Sequence, residues 1–308
     1  MHYTGTIWRP PYEADSLLLE VTAGCTHHKC KFCTLYAELP FKFRMSPLAD
    51  VENDLLEARA IFKQQQARGL FKLWPNSGPA RVFLTGANPF VLKAERLLEI
   101  AGMIARTFPE IGSIGCFARV TDVALKTEQE LAQLRAAGFD GLTLGVETGD
   151  DVALAFMRKG YQAADIVEQC QRLEAAGIGY NFFYLTGISG HGRGQASAKA
   201  TAAVCNQLHP RRIGASMLTI YPNSELYQEI QNGAWQPETE IEKYQELKTL
   251  VQALQGPVWF GALGASNAVP FAGNLPGDKE RLLAVLDEII ADFSEEELQG
   301  YRQNLRHL

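Results

Sequence analysis

Along most of the chain, short apolar runs alternate with helix-length amphipathic stretches. Leu17 to Val21 is the first run, and its length and closing glycine read as a short buried strand. Ser46 and Pro47 supply an N-cap and a first helical residue for a helix to about Gln66, with Val51, Leu55, Ala58 and Phe62 on one face. A Gly- and Pro-containing loop, Gly69 to Pro79, leads to a second strand, Arg81 to Leu84, which ends at Thr85-Gly86-Ala87-Asn88. The alternation then repeats. A helix from about Val91 to Phe108 precedes a strand at Ser113 to Phe117, and a helix from Thr127 to Ala137, with Gly138 as its C-cap, precedes Leu142 to Val146. A helix at Ala163 to Ala176 precedes Tyr180 to Leu185, and a helix at Ala196 to Leu208 precedes Ala215 to Ile220.

Strands alternating with helices predict an α/β fold with a parallel sheet and right-handed crossovers. Six such units suggest a partial, six-stranded TIM-like barrel with its strand-end loops at one mouth. After Pro222 the pattern changes. Glu238 to Leu254 reads as a polar amphipathic helix, Val258 to Asn274 as irregular, and Asp278 to Phe293 as a strongly periodic helix. The expected division is a polar lead-in at 1–16, the partial barrel at 17–223, and an extension at 224–308 that covers the sheet's open edge.

The chain has 308 residues, 46% hydrophobic, enough for a large core, and a formal net charge of −6, which argues against an extended nucleic-acid surface. Met1 to Tyr12 carries no signal-peptide pattern, and no apolar stretch has the length of a membrane span. Six cysteines, three of them clustered, do not resemble a secreted disulfide scaffold, so a reducing cytoplasm is expected.

The cluster is Cys25-Thr26-His27-His28-Lys29-Cys30-Lys31-Phe32-Cys33, directly after the first strand. Loops at the C-terminal ends of strands are where α/β proteins keep their ligand sites. Three thiolates suit an iron–sulfur cluster with one open iron. A structural zinc with His27 or His28 as fourth ligand is the alternative that spacing alone leaves open.

The strand, the three-cysteine loop and Phe32 before the third cysteine resemble the radical S-adenosylmethionine (SAM) superfamily. Four residues separate Cys25 from Cys30, where three are usual; the second gap, Lys31-Phe32, is standard. The resemblance implies that Cys25, Cys30 and Cys33 hold a [4Fe–4S] cluster whose open iron is chelated by SAM. SAM is then cleaved to a 5'-deoxyadenosyl radical that abstracts hydrogen from a substrate. It implies further that Thr85, Gly86 and Asn88 contact the SAM amino group, that Glu147 accepts hydrogen bonds from ribose or the methionine ammonium, and that the stretch with Gly187 and Gly190 seats the adenine. Lys159, preferred to Arg158 and Arg119, is the expected partner of SAM's carboxylate. Asn181, Tyr184, His191 and Tyr221 are candidates to face the substrate. His191 is the expected acid/base group, because it lies in a mouth loop, with Tyr184 beside it as a catalytic candidate. Cys116, Cys170 and Cys205 read as core residues. A flavodoxin- or ferredoxin-type electron donor and a small-molecule substrate are the expected partners, with no membrane. Rival readings are an iron–sulfur electron-transfer protein without SAM chemistry and an RNA-modifying radical SAM enzyme.

Overall fold

The computed structural model of the chain describes residues 1–67 and 79–303. The loop expected at Gly69 to Pro79 lies outside them, apart from Pro79. Two compact units divide the chain. One takes Met1–His28, Leu35–Thr143 and Ala175–Gly179; the other takes Lys29–Thr34, Leu144–Glu174 and Tyr180–Leu308.

The first unit carries β1 (Leu17–Glu20), β2 (Thr22–Gly24), β3 (Phe43–Met45), α1 (Leu48–Ala67), β4 (Arg81–Thr85), α2 (Ala94–Thr107), β5 (Ser113–Ala118), α3 (Val120–Ala124), α4 (Glu128–Ala136) and the start of β6 (Leu142–Glu147). β1, β4 and β5 pair in parallel, with Leu17 beside Val82 and Leu84 beside Cys116. Their apolar side chains meet α1 through Val51, Leu55 and Ala58, and α2 through Leu97, Ile100, Ala101 and Ile104, all buried. Both sets follow the helical repeat that brings residues three and four apart onto one face. Thr127 and Glu130 form a reciprocal capping box that starts α4. The cysteine loop springs from an antiparallel ribbon in which Thr22 lies beside Met45 and Gly24 beside Phe43. The lead-in is also built into the unit: Thr4 donates twice to Glu20, at 2.7 and 2.6 Å, and buried Glu13 takes Arg81 Nε on both oxygens at 3.0 Å.

The second unit continues β6 and adds α5 (Asp151–Phe156), α6 (Ala163–Ala175), β7 (Tyr180–Thr186), α7 (Gly194–Cys205), β8 (Arg212–Met217), α8 (Glu225–Gln231), α9 (Glu240–Ala253), β9 (Val258–Ala262), β10 (Phe271–Leu275), α10 (Lys279–Asp292) and α11 (Glu295–Gln303). β7, β8 and β9 are parallel and β10 is antiparallel to β9. The strand order β1-β4-β5-β6-β7-β8-β9-β10 makes one mostly parallel sheet with two open ends. The expected α/β class and its parallel strands are present. Val258 to Asn274, expected to be irregular, forms β9 and β10 instead. Strand six runs Arg212–Met217, three residues earlier than expected. Among the described residues no helix is long and apolar enough to cross a membrane.

α9 closes over β7 and α7 in this unit. Its capping box, Thr239 with Glu242, sets its start, and Tyr244, Leu247, Leu250 and Val251 bury its inner face. Glu246 on that face is fully buried and accepts from the Tyr184 hydroxyl and, at 2.7 Å, from Gly187 N. Glu238 is also buried, with its carboxyl within hydrogen-bonding reach of that of Glu246. Burial raises both carboxyls, and in Glu238 the charge of Glu246 adds to it.

Both groups therefore hold a proton more tightly folded than unfolded. Stability from them is complete below the ordinary carboxylate range and is lost as pH rises above it through neutrality. Urea unfolding should show stability falling across that window with a slope approaching about 1.4 kcal/mol per pH unit for one proton. Glu238→Gln, which keeps the shape and removes the titration, should flatten the slope; an unchanged slope would rule Glu238 out as its source.

Candidate functional site

Within the first unit, Cys25 follows the ribbon directly, and its amide donates to Lys42 O at 2.7 Å. Asn88, fully buried beyond β4, grips the start of the cysteine loop: its Nδ2 donates to Thr26 Oγ1 at 2.8 Å and its Oδ1 lies 3.5 Å from Thr26 N. The same Nδ2 reaches Asp122 at 3.1 Å, and Asp122 accepts from Arg119 N at 2.8 Å at the start of α3. Burial lifts the Asp122 carboxyl to about 6, against the pull of these donors. Gly86 stands at φ 132 with Thr22 so close that a Cβ would lie 1.9 Å from Thr22 Oγ1. Only glycine lets the two main chains meet there. Thr85 is buried at the end of β4, beside Glu20. Thr85, Gly86 and Asn88 are thus brought together with Cys25. The contribution of Asp122 was not foreseen, because its partner Asn88 is 34 residues away.

Within the second unit, Cys30 and Cys33 close a tight turn, Cys33 N donating to Cys30 O at 3.1 Å. Lys31 inside that turn is buried and held at three points. Its amide donates to Met157 O at 3.3 Å, its carbonyl accepts from Leu226 N at 2.8 Å, and its ammonium lies 2.5 Å from Glu229 on α8 and 4.0 Å over the Phe156 ring. Phe32 packs on an apolar cluster of Met157, Leu185, Ile188, Leu218 and Leu226. Neither Lys31 nor Glu229 was singled out from sequence. A lysine in a cysteine loop looks like a solvated charge, and its acid is 198 residues away.

Close to Phe32 lies a buried ion pair. Lys159 Nζ donates to Glu147 Oε1 at 2.9 Å, 5.8 Å from the Phe32 ring centroid and 5.6 Å from that of Tyr161. Burial alone would lower the Lys159 ammonium. The Glu147 carboxylate, with Tyr161 and Cys30 behind it, outweighs burial and raises it above the ordinary lysine value. The backbone is bent into the left-handed region on both sides of the pair, with φ 61 at Glu147, 55 at Arg158 and 79 at Gly160. Tyr161 OH donates to Gly145 O at 2.7 Å and braces β6 beneath Glu147. Arg158 points elsewhere, to Glu225 at 2.8 Å on the surface. Arg119, the third cation considered, starts α3 in the first unit.

The two residues read as catalytic have other partners. Tyr184 is fully buried with its hydroxyl donated to Glu246 on α9. His191 is half-exposed, with Nδ1 2.9 Å from Glu242 in the α9 capping box. Gly187, at φ 85, donates its amide to Glu246 at the end of β7.

Cys116, Cys170 and Cys205 are buried, whereas Cys25 and Cys30 are half-buried and Cys33 is exposed. Burial raises the thiols of Cys116 and Cys170, and that of Cys205 to about 12, which keeps all three protonated. Metal-binding thiolates must be deprotonated, which burial opposes at these three positions. Among the described residues no group of three or more His, Cys, Asp or Glu is placed to hold a single metal ion.

The family model described as the radical SAM superfamily matches residues 19–196. No curated protein matches the chain. Solved structures that it resembles include the radical SAM methyltransferase TsrM from Kitasatospora setae with cobalamin and a [4Fe–4S] cluster bound (17% identity, 71% of this chain and 37% of that one, TM-score 0.54). Coproporphyrinogen III oxidase, HemN, from Escherichia coli, described as a radical SAM enzyme, is similar at 16% identity over 77% of this chain and 50% of that one, with a TM-score of 0.52. Elp3 from the archaeon Methanocaldococcus infernus is similar at 15% identity over 68% and 52%, with a TM-score of 0.50. At these identities the likeness concerns the fold. The chain spans 37% to 52% of the length of these three proteins.

The Lys31 anchor is testable without any cofactor. Lys31→Met keeps a side chain of similar length, removes the ammonium over Phe156 and leaves Glu229 without its cation. It should lower unfolding stability by about 2 kcal/mol and speed alkylation of Cys30 in the metal-free chain. Unchanged alkylation would mean that the backbone bonds alone hold the turn.

Proposed function

The chain belongs to the radical SAM superfamily, an enzyme class that needs a reductant, and on that premise we propose that Cys25, Cys30 and Cys33 hold a [4Fe–4S] cluster at which SAM is bound and cleaved. The observation that carries this is the anchored Cys30–Cys33 turn with the buried Lys159–Glu147 pair beside its Phe32. When bound together, cluster and SAM supply a one-electron cleavage that leaves a carbon radical able to abstract hydrogen.

The chain's own groups position and shield. Lys31 fixes two of the three thiols, and Asn88 fixes the loop limb that carries Cys25. The longer first gap, Thr26 to Lys29, then joins two separately fixed ends. Lys159 and Glu147 present one charge of each sign. They would hold the carboxylate and ammonium of SAM's methionine end, a zwitterion of matching character. Gly187 would lie against the adenosine. The apolar group of Met157, Leu185, Ile188, Leu218 and Leu226 under Phe32 excludes water, which strengthens each electrostatic contact. Tyr184 and His191 are left out of this reading, because their polar atoms serve α9.

The proposed catalytic domain ends near residue 223, and the remainder is its cover. Cytoplasmic location, a flavodoxin- or ferredoxin-type donor and a small-molecule substrate complete the proposal.

Anaerobic reconstitution should give about four irons per chain and 5'-deoxyadenosine on reduction with SAM. Alanine at Cys25, Cys30 or Cys33 should lose the iron, while alanine at Cys170 or Cys205 keeps it. About eight irons, falling when a buried cysteine is replaced, would mean a second cluster. Glu147→Gln should weaken SAM binding at least tenfold, about 1.4 kcal/mol, with iron content intact. Unaltered SAM affinity would remove Glu147 from the site.

A further inference from the structure

Register in the second unit places a glycine floor between two aromatic residues. Phe183 on β7 lies beside Gly214 on β8, Gly214 beside Gly261 on β9, and Gly261 beside Ala272 on β10. One pleat earlier the row is Asn181, Arg212, Trp259 and Asn274. Residues two apart share a sheet face, so both rows lie on the same one. A Cβ added at Gly261 would meet the Trp259 ring at 2.2 to 2.8 Å, so the indole lies across Gly261. A Cβ added at Gly214 would meet only the Phe182 carbonyl oxygen, at 3.9 Å, among the described residues of this unit. The result is a step in the sheet face over Gly214, bounded by Phe183 on one side and Trp259 on the other. Strands two apart are separated by about 9.6 Å, more than the roughly 7 Å that one flat ring needs between two others.

A second observation gives the step a polar end. Asn181 is 2% exposed, and its side-chain oxygen has no hydrogen-bond partner among the described residues. A buried acceptor left unmatched is costly, and this one sits on the face of the step, one row from Gly214. Phe183 is three residues short of the end of β7, about 10 Å along the strand, and packs on the same apolar cluster as Phe32, so the step adjoins the proposed SAM site.

We infer that this step is the substrate subsite and that it takes a planar heteroaromatic ring carrying an N–H donor, the ring between Phe183 and Trp259 and the N–H on Asn181. The inference rests on the radical SAM reading for the word substrate, but ring binding does not require the cluster.

The test uses the full chain, with and without reconstituted iron, and two probes of equal shape: indole, and benzofuran, which lacks the N–H. The readout is the side-chain N–H resonance of Trp259, identified by its loss in Trp259→Phe. Indole should shift it, benzofuran should bind about tenfold more weakly, and Asn181→Ala should bring the two probes level. Gly214→Val should abolish the shift by both while the melting temperature holds; Gly214→Ala, the milder filling, should weaken it. No shift with indole, equal binding of both probes to the wild-type chain, or a shift that survives Gly214→Val overturns the inference. Competition of 5'-deoxyadenosine for the same shift overturns it too, by making the step part of the cofactor site. Indole binding with no iron uptake would instead overturn the proposed cluster and SAM chemistry and leave a ring-binding site in place.

Discussion

A lysine ammonium shut away from water is tolerable only with its counter-charge in contact, and the Lys159–Glu147 pair is the constraint around which the second unit's site is built. Removing either partner would leave a bare buried charge, at several kcal/mol. The main chain bears the strain of bringing them together. Two non-glycine residues, Glu147 and Arg158, take left-handed φ values on either side of the contact. Such conformations cost on the order of 1–3 kcal/mol each and persist where the surroundings over-determine them. Tyr161 supplies part of that determination through its bond to Gly145 O.

Phe32 lies close to this pair and next in sequence to a second one, Lys31 with Glu229. Each ammonium has its own carboxylate, so the turn between Cys30 and Cys33 is flanked by oriented dipoles rather than by net charge. That difference bears on a cluster. The reduction potential of a bound cluster would follow net charge, hydrogen bonds to sulfur and solvent exposure, and two neutralised pairs add no fixed charge beside a turn whose Cys33 is exposed. The Cys30–Cys33 turn is fastened through Lys31 in one unit and the Cys25 limb through Asn88 in the other.

Strands one to five were legible because each is a short, mostly apolar run closed by Gly or a polar turn, and the helices between them carry a buried stripe. The failures have a common physical origin. β9 and β10 contain Gly261 and Gly273, and glycine weakens the strand signal while serving a packing purpose that only the neighbouring strand reveals. α3, α5 and α8 are of five to seven residues, too short to display a period. The polar lead-in hid a buried Glu13 because its partner, Arg81, lies 68 residues on.

Candidate residues divided in the same way. Those whose role is local, such as Gly86 in its close approach to Thr22, could be placed from their position after a strand. Those decided by tertiary pairing could not, and β7 shows why. Asn181 and Tyr184 are both polar-tipped residues of one strand, equally plausible as substrate contacts by composition. The pleat period of two puts them on opposite faces. Tyr184 faces α9, where Glu246 occupies its hydroxyl, while Asn181 shares the face of Phe183 and keeps an unmatched oxygen. A strand sequence that is apolar on both faces carries no mark of which face meets the helix layer. That assignment comes from α9, some sixty residues later in the chain, and it moves the chemical interest of β7 from the tyrosine to the asparagine.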